Sequence, residues 1–155
     1  VSWIALGVDT ICAFVPFLTG GGSVVRGIAK SDNVIDAAKV MRKKAPKRSD
    51  LRNATGSYII KYSDKTFYVG KGGFKRAIKS AKKHKGNSKV KSIEWIKAKN
   101  SKEAFINEYK MLCKCGGPNN KKIRNRKSHN SIWSPGRKYY YEKYKKYYSY
   151  GGRKW

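Results

Sequence analysis

The sequence predicts an α+β fold: a small three-stranded antiparallel sheet flanked by helices and preceded by an apolar, partly helical N-terminal segment. Three observations predict it. Between residues 56 and 96, apolar and aromatic residues recur at every second position in three short runs, the period of a strand with a buried face. Over residues 74–85 and 101–113 they recur at three- and four-residue spacing, as on one stripe of a helix. The order strand, strand, helix, strand, helix leaves the strands to pair with one another and the helices to cover them.

Residues 1–28 are apolar and glycine-rich, but Asp9, Pro16 and Gly20-Gly21-Gly22 interrupt them too often for a membrane span, which needs about 20 apolar residues in a row. No charged leader or clear cleavage site marks a signal peptide. The stretch reads as a short buried helix plus a loop, or as a segment that meets a membrane or a chaperone during delivery. Ser31-Asp32-Asn33 caps a helix with apolar Val34, Ile35, Ala37, Ala38, Val40 and Met41, which ends in Arg42-Lys43-Lys44. Residues 1–45 are thus one delivery segment, and 46–55, with Pro46 and mostly polar residues, a linker.

A domain over 56–137 follows. Tyr58, Ile60 and Tyr62 share one face of its first strand, Ser63-Asp64-Lys65 turns the chain, and Thr66–Val69 returns it. Gly70, Gly72 and Gly73 bracket Lys71 ahead of a helix over 74–85 with Ala77, Ile78 and Ala81 inward. Val90–Ile96 alternates again. Ser101 caps a helix running to Cys113, with Ala104, Phe105, Tyr109 and Leu112 as its buried stripe. After Gly116-Gly117-Pro118 comes a basic loop, then Ser134-Pro135-Gly136, then a basic tail over 138–155. From Arg137 to Trp155 there are seven tyrosines and no aliphatic residue, too little to build a core of its own.

The charge points to a polyanionic partner. The chain of 155 residues carries a formal +28, and the first 41 residues sum to zero, so 34 basic residues face six acidic ones in the remainder. Neutralising a polyanion with so many cations releases counterions and drives binding. A solvated surface, a ribosome-like RNA binder and an anionic membrane surface share this charge. The eleven tyrosines and four tryptophans among the lysines favour nucleic acid, because rings between cations stack on unpaired bases as well as fill a core. Three cysteines, Cys12, Cys113 and Cys115, form no disulfide framework and read as ordinary thiols of a reducing compartment. Cys113 and Cys115 with His129 are one ligand short of a zinc site.

Hydrolysis of a phosphodiester needs an activated nucleophile, a cation at the phosphate and usually a metal on oxygen ligands. Six carboxylates lie beyond residue 41. Asp50 falls in the linker, Asp64 in a turn, Glu94 on a strand and Glu142 in the tail. Glu103 belongs to a first helical turn, beside the positive end of the dipole. Glu108 sits mid-helix, either as a solvent-facing glutamate or as a ligand. Arg76 has the forked, permanently charged head that suits a phosphate. Lys71, between glycines, can reach the same phosphate, and His84 ends its helix as a cation offsetting the dipole.

Gly56-Ser57-Tyr58 and Tyr68-Val69-Gly70, followed by Arg76 and His84 on a helix and by Glu108 on the helix after the third strand, resemble a GIY-YIG nuclease over residues 56–137. The first word reads Gly-Ser-Tyr where the family has Gly-Ile-Tyr. The resemblance implies that Glu108 holds one divalent ion, magnesium or manganese, that Arg76 holds the scissile phosphate, and that Tyr58 activates the attacking water with Tyr68 in support. It also implies a closing asparagine, for which Asn119, Asn120, Asn125 and Asn130 are candidates; Asn130 is chosen because the chain turns apolar there. Lys71, Lys75, Arg137, Lys138 and Tyr140 are the expected nucleic-acid contacts.

Val24-Val25-Arg26-Gly27, Asp32-Asn33, the run Glu103-Ala104-Phe105-Ile106-Asn107-Glu108-Tyr109 and Ser134-Pro135-Gly136-Arg137-Lys138-Tyr139 resemble bacterial polymorphic toxins of the Rhs or contact-dependent type. That resemblance implies a monomeric toxin secreted as the C-terminal part of a larger protein, cutting nucleic acid, DNA in preference, in the cytoplasm of a target cell. It also implies an acidic immunity protein in the producer. A basic nucleic-acid-binding protein without catalysis and a membrane-active toxin working through residues 1–28 are the competing expectations.

Overall fold

A computed structural model describes residues 24–28, 53–125 and 129–155, with only the backbone at 24–28 and 129–132. The strands are β1 (Val24–Ile28), β2 (Gly56–Tyr62), β3 (Phe67–Lys71), β4 (Val90–Lys97), β5 (Ser149–Tyr150) and β6 (Arg153–Lys154). The helices are α1 (Phe74–His84), α2 (Ser101–Lys114) and α3 (His129–Tyr144). The α+β class holds: β2, β3 and β4 form the expected antiparallel sheet, with β2 in the middle. The strand β1 extends it, pairing antiparallel with β4 from Val24 opposite Ile96 to Ile28 opposite Ser92. Val24–Ile28 therefore belongs to the sheet, where the sequence placed it in a separate delivery segment. The expected helix over 34–41 and most of the linker lie outside the described residues. No helix among the described residues is long and apolar enough to cross a membrane.

The sheet is buried on both faces, so β2 is buried almost throughout rather than alternately. On one face Tyr58, Ile60, Tyr62, Ile93 and Trp95 pack on Phe74, Ala77, Ile78 and Ala81 of α1. On the other, Ile59, Phe67, Val69 and Ile96 pack on Met111 and Leu112 of α2. The helix α2 opens one residue earlier than expected: Asn100, not Ser101, accepts from the Glu103 amide at 2.9 Å, and the Glu103 carboxylate accepts from the Lys99 amide. Phe105, expected in its buried stripe, is half-exposed, while Ile106 and Met111 are buried.

The basic loop after α2 is tied to the sheet. Ile123 is buried and bridges Phe67, with Phe67 N donating to Lys122 O at 2.9 Å and Arg124 N to Phe67 O at 2.8 Å. Asn125 completes this cover of the β3 edge, accepting from the Val69 amide at 3.3 Å and donating to the Val69 carbonyl at 2.6 Å. The Arg124 head donates to Thr66 Oγ1 (2.6 Å), Asp64 Oδ2 (2.9 Å), Ser88 Oγ and the His84 carbonyl, and lies 4.0 Å over the Tyr62 ring. One side chain thus joins the β2–β3 turn to the end of α1. Arg124→Ala is expected to lower the unfolding free energy by about 2–3 kcal/mol, since it removes charge-assisted bonds and strands a helix-end carbonyl. Urea unfolding measures this, and a loss below about 0.5 kcal/mol contradicts it.

The tail is not a separate appendage. The helix α3 runs through Pro135 and Gly136, where the sequence indicated a break, and packs on α2. Tyr140 joins Ile106, Tyr109 and Cys113 in a buried cluster, against which Trp133, Tyr139, Tyr148 and Trp155 pack. Tyr109 donates to the Trp155 carbonyl at 2.7 Å. The tail therefore packs although it brings only rings, because α2 supplies Ile106, Tyr109 and Cys113 as partners. The boundary expected at residue 137 falls inside this helix. The expectation of ordinary thiols is corrected at Cys115, which is disulfide-bonded; Cys113 is a buried free thiol whose pKa burial pushes up.

Candidate active site

Antiparallel register places the two tyrosines. Tyr58 stands opposite both Gly70 and Trp95, and Tyr68 opposite Ile60, so the two rings share the α1 face of the sheet. Their centroids lie 6.4 Å apart, nearly parallel at 11°. A Cβ at Gly70 would come within 2.5 Å of the Tyr58 ring and hydroxyl, so the absent side chain at 70 is what lets this ring lie flat. Trp95 Nε1 donates to the Gly72 carbonyl at 3.0 Å and fixes the glycine turn that starts α1.

From that helix Arg76 and His84 reach the same region. Tyr68, Lys75, Arg76, Lys79, Ser80, Lys83 and His84 line an open cleft of about 600 Å³. Lys75, Lys79 and Lys83 repeat every four residues and are exposed, a basic stripe along one helix face. The His84 ring stacks on Tyr68, with centroids 4.3 Å apart and 15° between planes. Burial, then Lys83 and Arg124, hold its pKa below the ordinary histidine value. This works against the cation expected at the helix end, with burial as the largest cause.

Glu108 carries the anomaly of the molecule. Its side chain is fully buried in α2, and neither carboxylate oxygen has a hydrogen-bond partner. Burial pushes its pKa up to about 8, against the pull of Lys71 and Arg76. An unpaired buried carboxylate is costly, and native proteins keep one where an ion or a reaction uses it. Lys71 is held beside it, with its ammonium 3.2 Å from Ser101 Oγ and 4.5 Å from the centre of the Phe105 ring. The charge of Glu108 is felt by both Tyr58 and Tyr68, as is that of Arg76. The five groups therefore form one electrostatic unit.

The Tyr58 hydroxyl sits 2.8 Å from Ser80 Oγ. Burial raises its pKa, and the Ser80 bond and Arg76 offset that only in part, so the hydroxyl of the folded chain keeps its proton at neutral pH. Tyr68 is raised for the same first reason. Arg76 does lower the Tyr58 value, but burial is the larger effect. Ser80 escaped the sequence reading, although it lies four residues after Arg76, one turn further along the helix.

A divalent ion fits this chemistry: two buried, unpartnered oxygens of one carboxylate are hard ligands. No group of three or more His, Cys, Asp or Glu occurs among the described residues.

The structure gathers Tyr68, Lys75, Arg76 and His84 around one cleft, stacks Tyr58 near Tyr68, and leaves Glu108 within electrostatic reach of Lys71, Arg76 and the two tyrosines. Arg137, Lys138 and Tyr140 lie apart on α3. Tyr140 is buried to 7% exposure and stacks on no base, a correction that follows from its place against Tyr109 and Cys113. Asn130 is the second residue of α3, and its side chain lies outside the described residues. Among the other asparagines, Asn125 is the one fastened to β3. Comparison of the chain with protein-family models, curated proteins and solved structures gives no match, so the chemistry of these residues is what a functional reading rests on.

Proposed function

We propose that this protein is a metal-dependent endonuclease of the GIY-YIG type, cleaving phosphodiester bonds of nucleic acid with DNA preferred. The observation that carries the reading is Glu108, a fully buried carboxylate with no partner, next to Arg76, Lys71 and two tyrosines. A structural glutamate in that position costs several kcal/mol and is better replaced by an apolar residue. Glu108 would hold a divalent ion there, which would supply Lewis-acid polarisation of a phosphoryl oxygen and a more acidic water. Arg76, exposed at the mouth of the cleft, binds two phosphate oxygens with its fork, and Lys71 neutralises a third from the other side. Ser80 Oγ fixes the Tyr58 hydroxyl, which orients the attacking water. The ring of Tyr68, stacked on His84, forms one side of the cleft.

The toxin setting is part of the same proposal. A chain with 34 cations beyond residue 41 associates rapidly with any acidic protein, which suits an immunity partner that must act before the nuclease does. The protein is then the nuclease part of a larger secreted bacterial protein, acting in the cytoplasm of a target cell, and folds as a monomer.

Plasmid DNA and total tRNA, each with magnesium, manganese or chelator, test the activity. Cutting is expected only with metal. Arg76→Ala is expected to reduce it by roughly 100-fold to 1,000-fold, and Arg76→Lys to restore a minor part, because a point charge replaces a bidentate fork. Salt-sensitive binding without cutting at any metal concentration assigns the protein to non-catalytic nucleic-acid binding instead.

A further inference from the structure

Tyr141, Tyr144 and Tyr147 stand 44%, 41% and 40% exposed, the most exposed large aromatic side chains among the described residues. All three fall within seven residues of α3 and the turn after it. Elsewhere the same side chain is buried, at Tyr58, Tyr62, Tyr109 and Tyr140, so the exposure is not a property of tyrosine in this protein. Lys143, Lys145 and Lys146 lie between the exposed rings, and from Arg137 to Trp155 seven cations face the single acid Glu142.

The rings are also arranged. Tyr141 and Tyr147 lie 4.9 Å apart between centroids, and the Arg137 guanidinium sits 3.9 Å over Tyr147. Arg137 Nε is buried and has no acceptor. Beside it, Trp133, Lys138, Tyr141 and Tyr147 line an open cleft of about 400 Å³. Flat aromatic and guanidinium faces, a donor lacking an acceptor and a ring of lysines together match a planar, hydrogen-bonding, anionic ligand.

We infer that this face of α3 is a platform for unpaired bases of single-stranded nucleic acid, separate from the cleft at Arg76. Bases stack on Tyr141 and Tyr147, and the Arg137 head and the lysines neutralise and track the backbone. A duplex hides its base faces and meets only the lysines. An acidic protein would use the same charge, but the flat faces with cations between them suit stacked bases better. The inference rests on nucleic acid being the partner; it deepens the proposed function by making single-stranded tracts the preferred class of substrate.

Anisotropy of labelled dT20 and of a 20-base-pair duplex, titrated with full-length protein in chelator at several salt concentrations, tests this. The double variant Tyr141→Ala/Tyr147→Ala is expected to bind dT20 roughly 10-fold to 100-fold more weakly, with an unchanged salt slope and less than about a threefold loss on the duplex. Tyr141→Phe/Tyr147→Phe retains binding, since the ring and not the hydroxyl stacks. Unchanged dT20 affinity in the alanine variant overturns the platform, and so does an equal loss on both ligands. If polyglutamate displaces dT20 from the wild type and loses affinity for the alanine variant to the same degree, the face belongs to an acidic protein. Cutting assays separate the two readings: a protein that never cuts yet loses dT20 binding keeps the platform and loses the nuclease. A protein that cuts while the variant binds dT20 normally does the reverse.

Discussion

Glu108→Gln is expected to abolish metal-dependent cutting, by at least about a thousandfold, while making the metal-free protein more stable at pH 8 than the wild type. The two effects have one origin. The carboxyl has an ordinary value of 4.5 and stands at about 8 in the folded protein, because burial disfavours its charge more than Lys71 and Arg76 favour it. Below pH 4.5 it is protonated in folded and unfolded chains alike and imposes no electrostatic cost. As pH rises from 4.5 to 8 the unfolded chain releases the proton and the folded chain holds it, so folding stability falls across that window, by on the order of 4 kcal/mol. Glutamine does not titrate. The difference between wild-type and variant melting curves, measured in chelator, should therefore grow from pH 4.5 to pH 8 and then level. Magnesium or manganese at pH 8 should restore the wild type and leave the variant unmoved, since an ion that binds only the folded state stabilises only that state. Parallel pH profiles for the two proteins remove Glu108 from the proposed site whatever the cutting assay gives.

Gly136→Ala is expected to cost about 2–4 kcal/mol in urea unfolding, a large effect for one methyl group. A Cβ there would lie 2.3 Å from the Phe105 carbonyl oxygen and 2.6 Å from Tyr109 Cβ, so α3 crosses α2 in backbone contact. Alanine is the better helix former by about 1 kcal/mol, which reduces the loss without reversing it, because neither helix backbone can yield alone. Phe105 is one turn from Glu108 on α2, and cutting should fall along with stability. Gly152→Ala serves as the comparison. Nothing lies within 4 Å of a Cβ at that position, and the expected cost is only the roughly 1 kcal/mol of its φ of 74°. Equal losses from the two substitutions would mean that the helix crossing is looser than the geometry indicates.

Much of the domain was legible in the chain. Alternation at Tyr58, Ile60 and Tyr62 and the polar turn at 63–65 gave β2 and β3, and the spacing of Ala77, Ile78 and Ala81 gave α1, because local periodicity and one buried face are sequence properties. Glu108 was singled out by the resemblance to GIY-YIG nucleases, but its burial was not legible, since that depends on how α2 packs on the face of the sheet. The anchoring of the basic loop by Ile123 and Asn125 rests on contacts more than fifty residues distant in sequence, and nothing local announces them. Pro135-Gly136 reads locally as a helix break; its glycine serves a close helix crossing instead. The tail carried no aliphatic residue and looked unable to pack, yet rings alone suffice once another helix supplies the opposing surface. Val24–Ile28 lay in a glycine-rich run whose pairing with β4 spans some seventy residues.

The flat seat of Tyr58 on Gly70 also constrains how this protein can vary. With less than 2.6 Å available to a methyl group, the two positions are not independent sites: an aromatic residue at 58 demands glycine across the ladder, and any larger residue at 70 demands a smaller one at 58. In a library randomised at both codons and selected for fold alone, the surviving clones should divide into two sets, aromatic with glycine and small with alanine or serine. Selection for cutting should then keep only the first, so that a glycine remote from any phosphate is inherited as if it were part of the chemistry.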